Sequence, residues 1–286
     1  MRPTVADADQ KAISVAGAGV LDFRFHQSHP PLFSGVCAMD NRGFSLVELA
    51  IVLTIVGILA GAVIAAQSMI RASKIQGVVE EVEAYRRGVH EFETQYQGLP
   101  GDFVLATSQT AWTAAVNGNG DGQISPWNTE GLQAWYHLMQ TKLIPGRYTG
   151  AVSSAMAVIG TNIPASKINK AAGYSFYYIA PADAIWKHSD TPGTAAVTVT
   201  NNSVGNVLVL GGQTAASFSS TTILSQNEAK AIDTKADDGW PDSGRVQSRV
   251  GTACTTTSGG RMIYNTLASA GRSCALSFAL KRSSGQ

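Results

Sequence analysis

Glu48 is the residue with the most chemistry to explain. It lies in residues 44–66, a run of 23 in which only Ser45, Glu48 and Thr54 are neither apolar nor glycine. A carboxylate inside hydrocarbon costs about 2.5–3.5 kcal/mol on insertion scales, so it predicts a charged partner and a function. The plain alternative is a side chain that snorkels to the headgroups. The other oxygen-rich stretches read as loops. Asn117, Asn119, Asp121, Gly122 and Ile124 have the spacing that starts a calcium loop: oxygens at alternate positions, glycine sixth, an apolar residue eighth. The bidentate Glu is missing, because its position is Asn128 and Glu130 comes two residues late. An ion-free Gly/Asn/Asp turn is therefore the stronger reading and calcium the alternative. Asp237, Asp238 and Asp242 pose the same choice, between converging on a cation and capping the amides of a tight turn. The turn is again favoured.

No catalytic pattern stands out. His90, His137 and His188 lie outside any H-E-x-x-H, and no serine sits in G-x-S-x-G. Each histidine is expected to be a surface or half-buried structural residue. A triad from scattered residues is recognised by geometry and not by spacing, so the sequence does not decide that point. No enzyme activity and no cofactor other than calcium is expected.

The elements that must position these residues begin with a helix. Twenty-three residues at 1.5 Å each span about 35 Å, enough for a hydrocarbon core of about 30 Å. Gly57 and Gly61 form a small-x-x-x-small pair that lets a second helix approach. Beyond the span, Ile75, Val78, Val79, Val82, Tyr85, Val89, Phe92 and Tyr96 recur at helical spacing. Glu80, Glu81, Glu83, Arg86, Arg87, Glu91 and Glu93 are assigned to the opposite, solvent face, with Glu83 and Arg87 placed for an i,i+4 pair. Gly77 and Gly88 weaken this half by about 1 kcal/mol each. Gly98, acting as a cap, and Pro100 end it. A second helix is predicted over 129–143. Strands are predicted over 174–180, 195–200 and 204–210 as an antiparallel meander, with further strands at 246–250, 261–264 and 274–280. The capping box Ser225…Glu228 starts a short helix to Ala236. Trp112, Trp127, Trp135, Trp186 and Trp240 are expected mainly in the core, with one or two as a binding surface in the alternative.

A short polar leader, then Gly43, then Phe-Ser-Leu-Val-Glu48 and an apolar run, resembles the signal of type IV pilins and type II secretion pseudopilins. The close likeness covers about 25 residues, and it is specific because an ordinary secretory signal is cut after its apolar stretch. Two looser likenesses follow, at 96–103 with its Leu-Pro-Gly-Asp and at 232–244. The resemblance implies a prepilin peptidase that cuts between Gly43 and Phe44 and N-methylates Phe44. It also implies a pilin-like α+β fold, with a long N-terminal helix packed on an antiparallel head. The expected division is a leader (1–43), a long helix (44–98, with the membrane segment 44–66) and one head (99–286). Residues 1–38 carry no strong pattern, and Met39-Asp-Asn-Arg-Gly43 would serve alone as a leader. Translation from Met39, or a disordered extension before it, is therefore expected. Many pilins have a proline twenty-two residues into the mature chain, where this one has Ala65.

On that reading the head is exported, its amino-terminal end facing the cytoplasm through a single inner-membrane span. Arg71 and Lys74 beyond the span oppose this orientation by charge, so it rests on the resemblance. Cys37 precedes the cut, while Cys254 and Cys274 remain as a pair in an oxidising compartment. One disulfide worth about 3 kcal/mol is expected, against two buried thiols. Zinc is not, for want of C-x-x-C or a Cys/His cluster. Residues 1–43 hold four basic and four acidic groups, and the whole chain carries +1, so no basic face points to nucleic acid. The expected function is a filament subunit, with Glu48 pairing to the methylated amine of a neighbouring Phe44. Its partners are the peptidase, related subunits, the assembly platform and, before assembly, lipid. The alternatives are a membrane-anchored periplasmic binding protein or enzyme, and a minor tip pilin with an adhesive or substrate-binding head.

Overall fold

The computed structural model of the chain describes residues 45–126, 129–150, 156–180, 186, 205–215, 218–249, 253–267 and 271–281. Gly43, Phe44, Trp127, Asn128, His188 and the strand expected at 195–200 lie outside the described residues. By its contacts the chain divides into two units, Met1–Thr54 and Ile55–Gln286.

In the first unit Ser45 opens helix α1 (Leu46–Tyr96). Its Oγ accepts from the Val47 amide at 3.3 Å and its carbonyl from the Leu49 amide at 3.1 Å, so orphan donors of the first turn are satisfied locally. Thr54 returns its hydroxyl to the Ala50 carbonyl at 2.8 Å, which hides a polar group within the apolar surface.

In the second unit α1 continues exposed to Lys74 and then buries one stripe: Ile75, Val78, Val82, Tyr85, Val89 and Phe92. That stripe is the expected one, but its flanks are not. Arg86 was assigned to solvent and is only 7 % exposed. It follows Val82 by four residues and precedes Val89 by three, so helical spacing puts it beside the core despite its charge. Its Nε donates to the Ala279 carbonyl at 2.9 Å, and it pairs with Glu83 at 2.5 Å. The i,i+4 pair expected with Arg87 is replaced by this i,i+3 pair, because only Arg86 faces the head. Glu81, also assigned to solvent, accepts from Tyr174 Oη at 2.8 Å, Ser166 Oγ at 3.3 Å and the Lys167 amide at 3.2 Å. Gly77 and Gly88 are close-packing points: a Cβ there would stand 3.0 Å from Lys167 Cδ and 3.2 Å from Ile144 Cγ2. At the end of α1 it is Gln97, with φ 54°, that takes the left-handed position. The ring of Phe103 lies 3.3 Å from where a Cβ on Gly98 would be, so that glycine serves packing and not the cap.

The head that covers the stripe has α2 (Glu130–Gln140), β1 (Ala165–Ser166), β2 (Asn169–Tyr178), β3 (Asn206–Gly212), α3 (Gln226–Ala236), β4 (Val246–Ser248), β5 (Thr255–Ser258), β6 (Arg261–Tyr264) and β7 (Leu276–Ala279). The antiparallel order β1-β2-β3-β7-β4 differs from a simple meander, since the last strand enters between β3 and β4; β5 and β6 form a separate hairpin. Side chains alternate across the sheet. Tyr174, Phe176, Leu208, Leu210, Leu276 and Phe278 face the helices, and Tyr177, Ile179, Val207 and Val209 join Trp186 and Phe218 in a second core. The sheet is therefore buried on both faces. Trp112, Trp135 and Trp186 are core residues as expected, while Trp240 is half-buried beneath the Arg261 guanidinium, 4.0 Å from its ring centre. The capping box at Ser225 and Glu228 is complete. Cys254 and Cys274 form a disulfide with Cα atoms 4.9 Å apart, tying the β5–β6 hairpin to the residue pair that precedes β7.

Candidate functional site

Glu48 lies in the first turn of α1, where the helix dipole favours a negative charge. From Leu46 through Ile70 the apolar side chains stand in the open, among them Leu46 (86 % exposed), Ile58 (68 %), Ile64 (71 %) and Met69 (76 %). A Cβ added at Gly57 or Gly61 would meet nothing within 4 Å. Among the described residues this is the one helix long and apolar enough to cross a membrane, and no part of its most apolar window is buried. A surface of this size has two physical destinations, lipid or other apolar helices. It fits a single-pass membrane anchor, since a helix satisfies its interior backbone groups within itself.

The loop offered by sequence for calcium is arranged around other carboxylates. Asp102, from the Leu-Pro-Gly-Asp tract, accepts from the Gly120 amide at 2.6 Å and the Gly122 amide at 2.8 Å. Glu130, at the start of α2, accepts from the Asn119 amide at 3.3 Å and the Ser125 amide at 3.0 Å. Asn119 Oδ1 takes the Asp121 amide, Asp121 Oδ1 takes the Gln123 amide, and Asn119 Nδ2 donates to Asp121 Oδ2 at 3.0 Å. Asn117 turns its Oδ1 to the Thr107 amide at 2.8 Å. In this arrangement the side-chain oxygens of Asn117 and Asn119 and Oδ1 of Asp121 serve the backbone, and Asp121 Oδ2 serves the Asn119 side-chain amide. The roles of Asp102 and Glu130 were hidden because both lie outside the motif. Asp102→Ala is expected to lower stability by about 2–3 kcal/mol, since two amides lose one charged acceptor, and Asp102→Asn by about half as much. Denaturant unfolding of the full chain in detergent measures both.

The second acidic tract behaves alike. Asp233, Asp237 and Asp238 bring carboxylate oxygens within 4.8 Å of one another, with Asp233 in place of the expected Asp242. Asp237 accepts from the Arg245 and Val246 amides, and Asp238 from the Trp240 amide and Ser243 Oγ, both at 2.8 Å. Asp233 accepts from the Gly239 amide at 3.1 Å and Tyr264 Oη at 2.7 Å. Burial pushes Asp233 up to about 8 against the pull of those two donors. The aspartates thus hold a turn between α3 and β4.

The histidines divide. His90 is exposed, and His137, expected at or near the surface, is fully buried. Its Nδ1 accepts from the Gly101 amide at 3.0 Å, and its ring packs against both Phe92 and Trp112, which also touch each other. Its hydrogen-bond partner is a backbone amide and not a nucleophile. The signal that could have found it is Ala134, which is fully buried and, three residues earlier, lies on the same face of α2.

Residues 38–64 match the family model described as the prokaryotic N-terminal methylation motif. The matched stretch is the prepilin-type signal of type IV pilins and pseudopilins, and it contains Gly43, Phe44, Glu48, Gly57 and Gly61. It supports a pilin- or pseudopilin-like precursor. No curated protein and no solved structure matches the chain.

Proposed function

We propose that the chain is the precursor of a structural subunit of a type IV pilus or type II secretion pseudopilus, and not an enzyme. It waits as a single-pass protein of the inner membrane with its head in the periplasm. A prepilin peptidase cuts between Gly43 and Phe44 and methylates the new amine. The assembly platform then extracts the subunit, and its apolar helix exchanges lipid for the helices of related subunits.

One observation carries this reading: the methylation motif runs straight into an apolar helical surface that is open along its length and holds a single carboxylate in its first turn. A plain tether needs the apolar length but gains nothing from the acid, which costs free energy in lipid. In a filament the cost is offset, because Glu48 meets the methylated amine of a neighbouring Phe44. Gly57 and Gly61 leave room for helices to approach. The stalk beyond Ile75 and the disulfide-tied head give the helix a rigid load to carry.

The test is the mature amino terminus. Mass spectrometry of the membrane-extracted protein is expected to find N-methylated Phe44 as the first residue. An intact leader would refute the proposal and favour a signal-anchored periplasmic protein.

A further inference from the structure

We propose that His137 is an acid-released latch that fastens the segment following the long helix to α2. The contacts at this point join three parts of the head. The Leu99–Pro100–Gly101–Asp102 tract leaves α1 and is held to α2 by the Gly101 amide on His137 Nδ1. Through Asp102 the same tract holds the Gly120 and Gly122 amides, and through Glu130 α2 holds the Asn119 and Ser125 amides. His137 thus sits at the root of a polar network that keeps residues 99–125 folded against α2.

The latch works only with a neutral ring. Because Nδ1 accepts, the imidazole proton resides on Nε2, which is buried and meets no hydrogen-bond partner among the described residues. A second proton would go to Nδ1. It would place N–H against N–H at Gly101 and a full charge in an apolar cage. Phe92 of α1 stacks on the ring with centroids 6.0 Å apart, and Trp112 of the following segment lies at 5.1 Å. At its border stands Tyr136 of α2, with ring centroids 6.3 Å apart. Asp102 has its oxygens turned to Gly120 and Gly122, Glu130 has its own turned to Asn119 and Ser125, and Glu93 of α1 is paired with Lys281. Asp102 and Glu93 thus have their carboxylates engaged elsewhere, and burial is the cause that acts on the ring.

Burial lowers His137 to about 4 from the ordinary 6.5. The depressed value means that the latched state binds the proton less well than the released state. Latching is at full strength above about pH 6.5 and is lost as pH falls from there towards about 4. With those two values, release at pH 5 is about thirtyfold more frequent than at pH 8. Asp233 acts in the opposite sense: its raised value means the folded state takes up a proton first, so acidification through about pH 8 favours the fold. Whole-protein melting mixes the two effects, and local exchange separates them.

The experiment is amide hydrogen exchange on the full chain in detergent micelles at pH 8 and pH 5, expressed as protection relative to the free peptide rate. Protection at Gly101, Gly120 and Gly122 is expected to fall about thirtyfold, while Tyr174 and Leu208 in the central strands keep theirs. His137→Asn, which retains an acceptor near Nδ1 and does not titrate, is expected to abolish the difference at Gly101. Unchanged loop protection in the natural chain, simultaneous loss in the central strands, or an undiminished pH response in His137→Asn would overturn the proposal. Should that variant fail to fold, the ring titration of His137 in the natural chain by NMR decides it: a value above about 5.5 overturns the latch.

Discussion

Glu48→Ala is expected to be cut and methylated at Phe44 like the natural chain, and yet to be absent from filaments. In the proposed function the peptidase acts on Gly43–Phe44 while the precursor is in lipid, where losing the carboxylate would make the helix cheaper to insert, by about 2.5–3.5 kcal/mol on insertion scales. Assembly reverses the sign. Removing one partner of an ion pair in an apolar core strands the other charge, at a cost of about 3–5 kcal/mol, which is more than a hundredfold in an association constant. Glu48→Asp keeps the charge on a shorter arm and is expected to assemble partly. The readout is the ratio of sheared filament protein to membrane-held mature protein, with the amino terminus checked in both pools. Filaments in natural amount from Glu48→Ala would refute the pairing mechanism, while leaving cleavage as a separate matter.

Gly101→Ala is expected to cost about 3–4 kcal/mol, whereas Gly122→Ala costs about 1–2 kcal/mol. Both glycines hold left-handed backbone, at φ +86° and +79°, and any L side chain there carries a strain of about 1–2 kcal/mol. They differ in space. A methyl group on Gly101 would press into the Glu130 carbonyl and the Ala134 side chain, backbone and core atoms that have nowhere to go, adding about 1–3 kcal/mol of overpacking. A methyl on Gly122 meets nothing within 4 Å. Denaturant midpoints for the two variants in the same detergent test the contrast. Equal losses would mean that the tract after α1 does not sit on α2 as described.

The match between reading and structure was closest where one periodicity governs. The stripe from Ile75 to Phe92 repeats every three or four residues, and burial follows it, because a helix presents such positions to one side whatever lies opposite. The capping box at Ser225 was legible for the same reason, a few residues at set spacing, and the disulfide because the expected cut and export leave Cys254 and Cys274 as a pair. Failures came where a charged residue lay on the edge of that stripe. Arg86 and Glu81 were read as solvent-facing from their type, yet about one turn from Val82 and Val78 they reach the Ala279 carbonyl and the Tyr174 hydroxyl. Nothing local announces those partners, which lie 193 and 93 residues away.

The sequence by itself determined the processing motif, the apolar run with its one acid, and the helix that continues from it, since all three are properties of consecutive residues. Only the tertiary structure decided the strand order, the burial of His137 and the identity of the carboxylates that organise the 117–125 loop. β7 enters between β3 and β4 because pairing there lets Phe278 and Leu276 face the helices beside Leu208 and Leu210. Asp102 and Glu130 hold the loop because folding carries the chain back over their carboxylates, 18 residues after one and 11 before the other. Such contacts are chosen by which distant groups need an acceptor when water is excluded, and that becomes definite only once the chain has closed on itself.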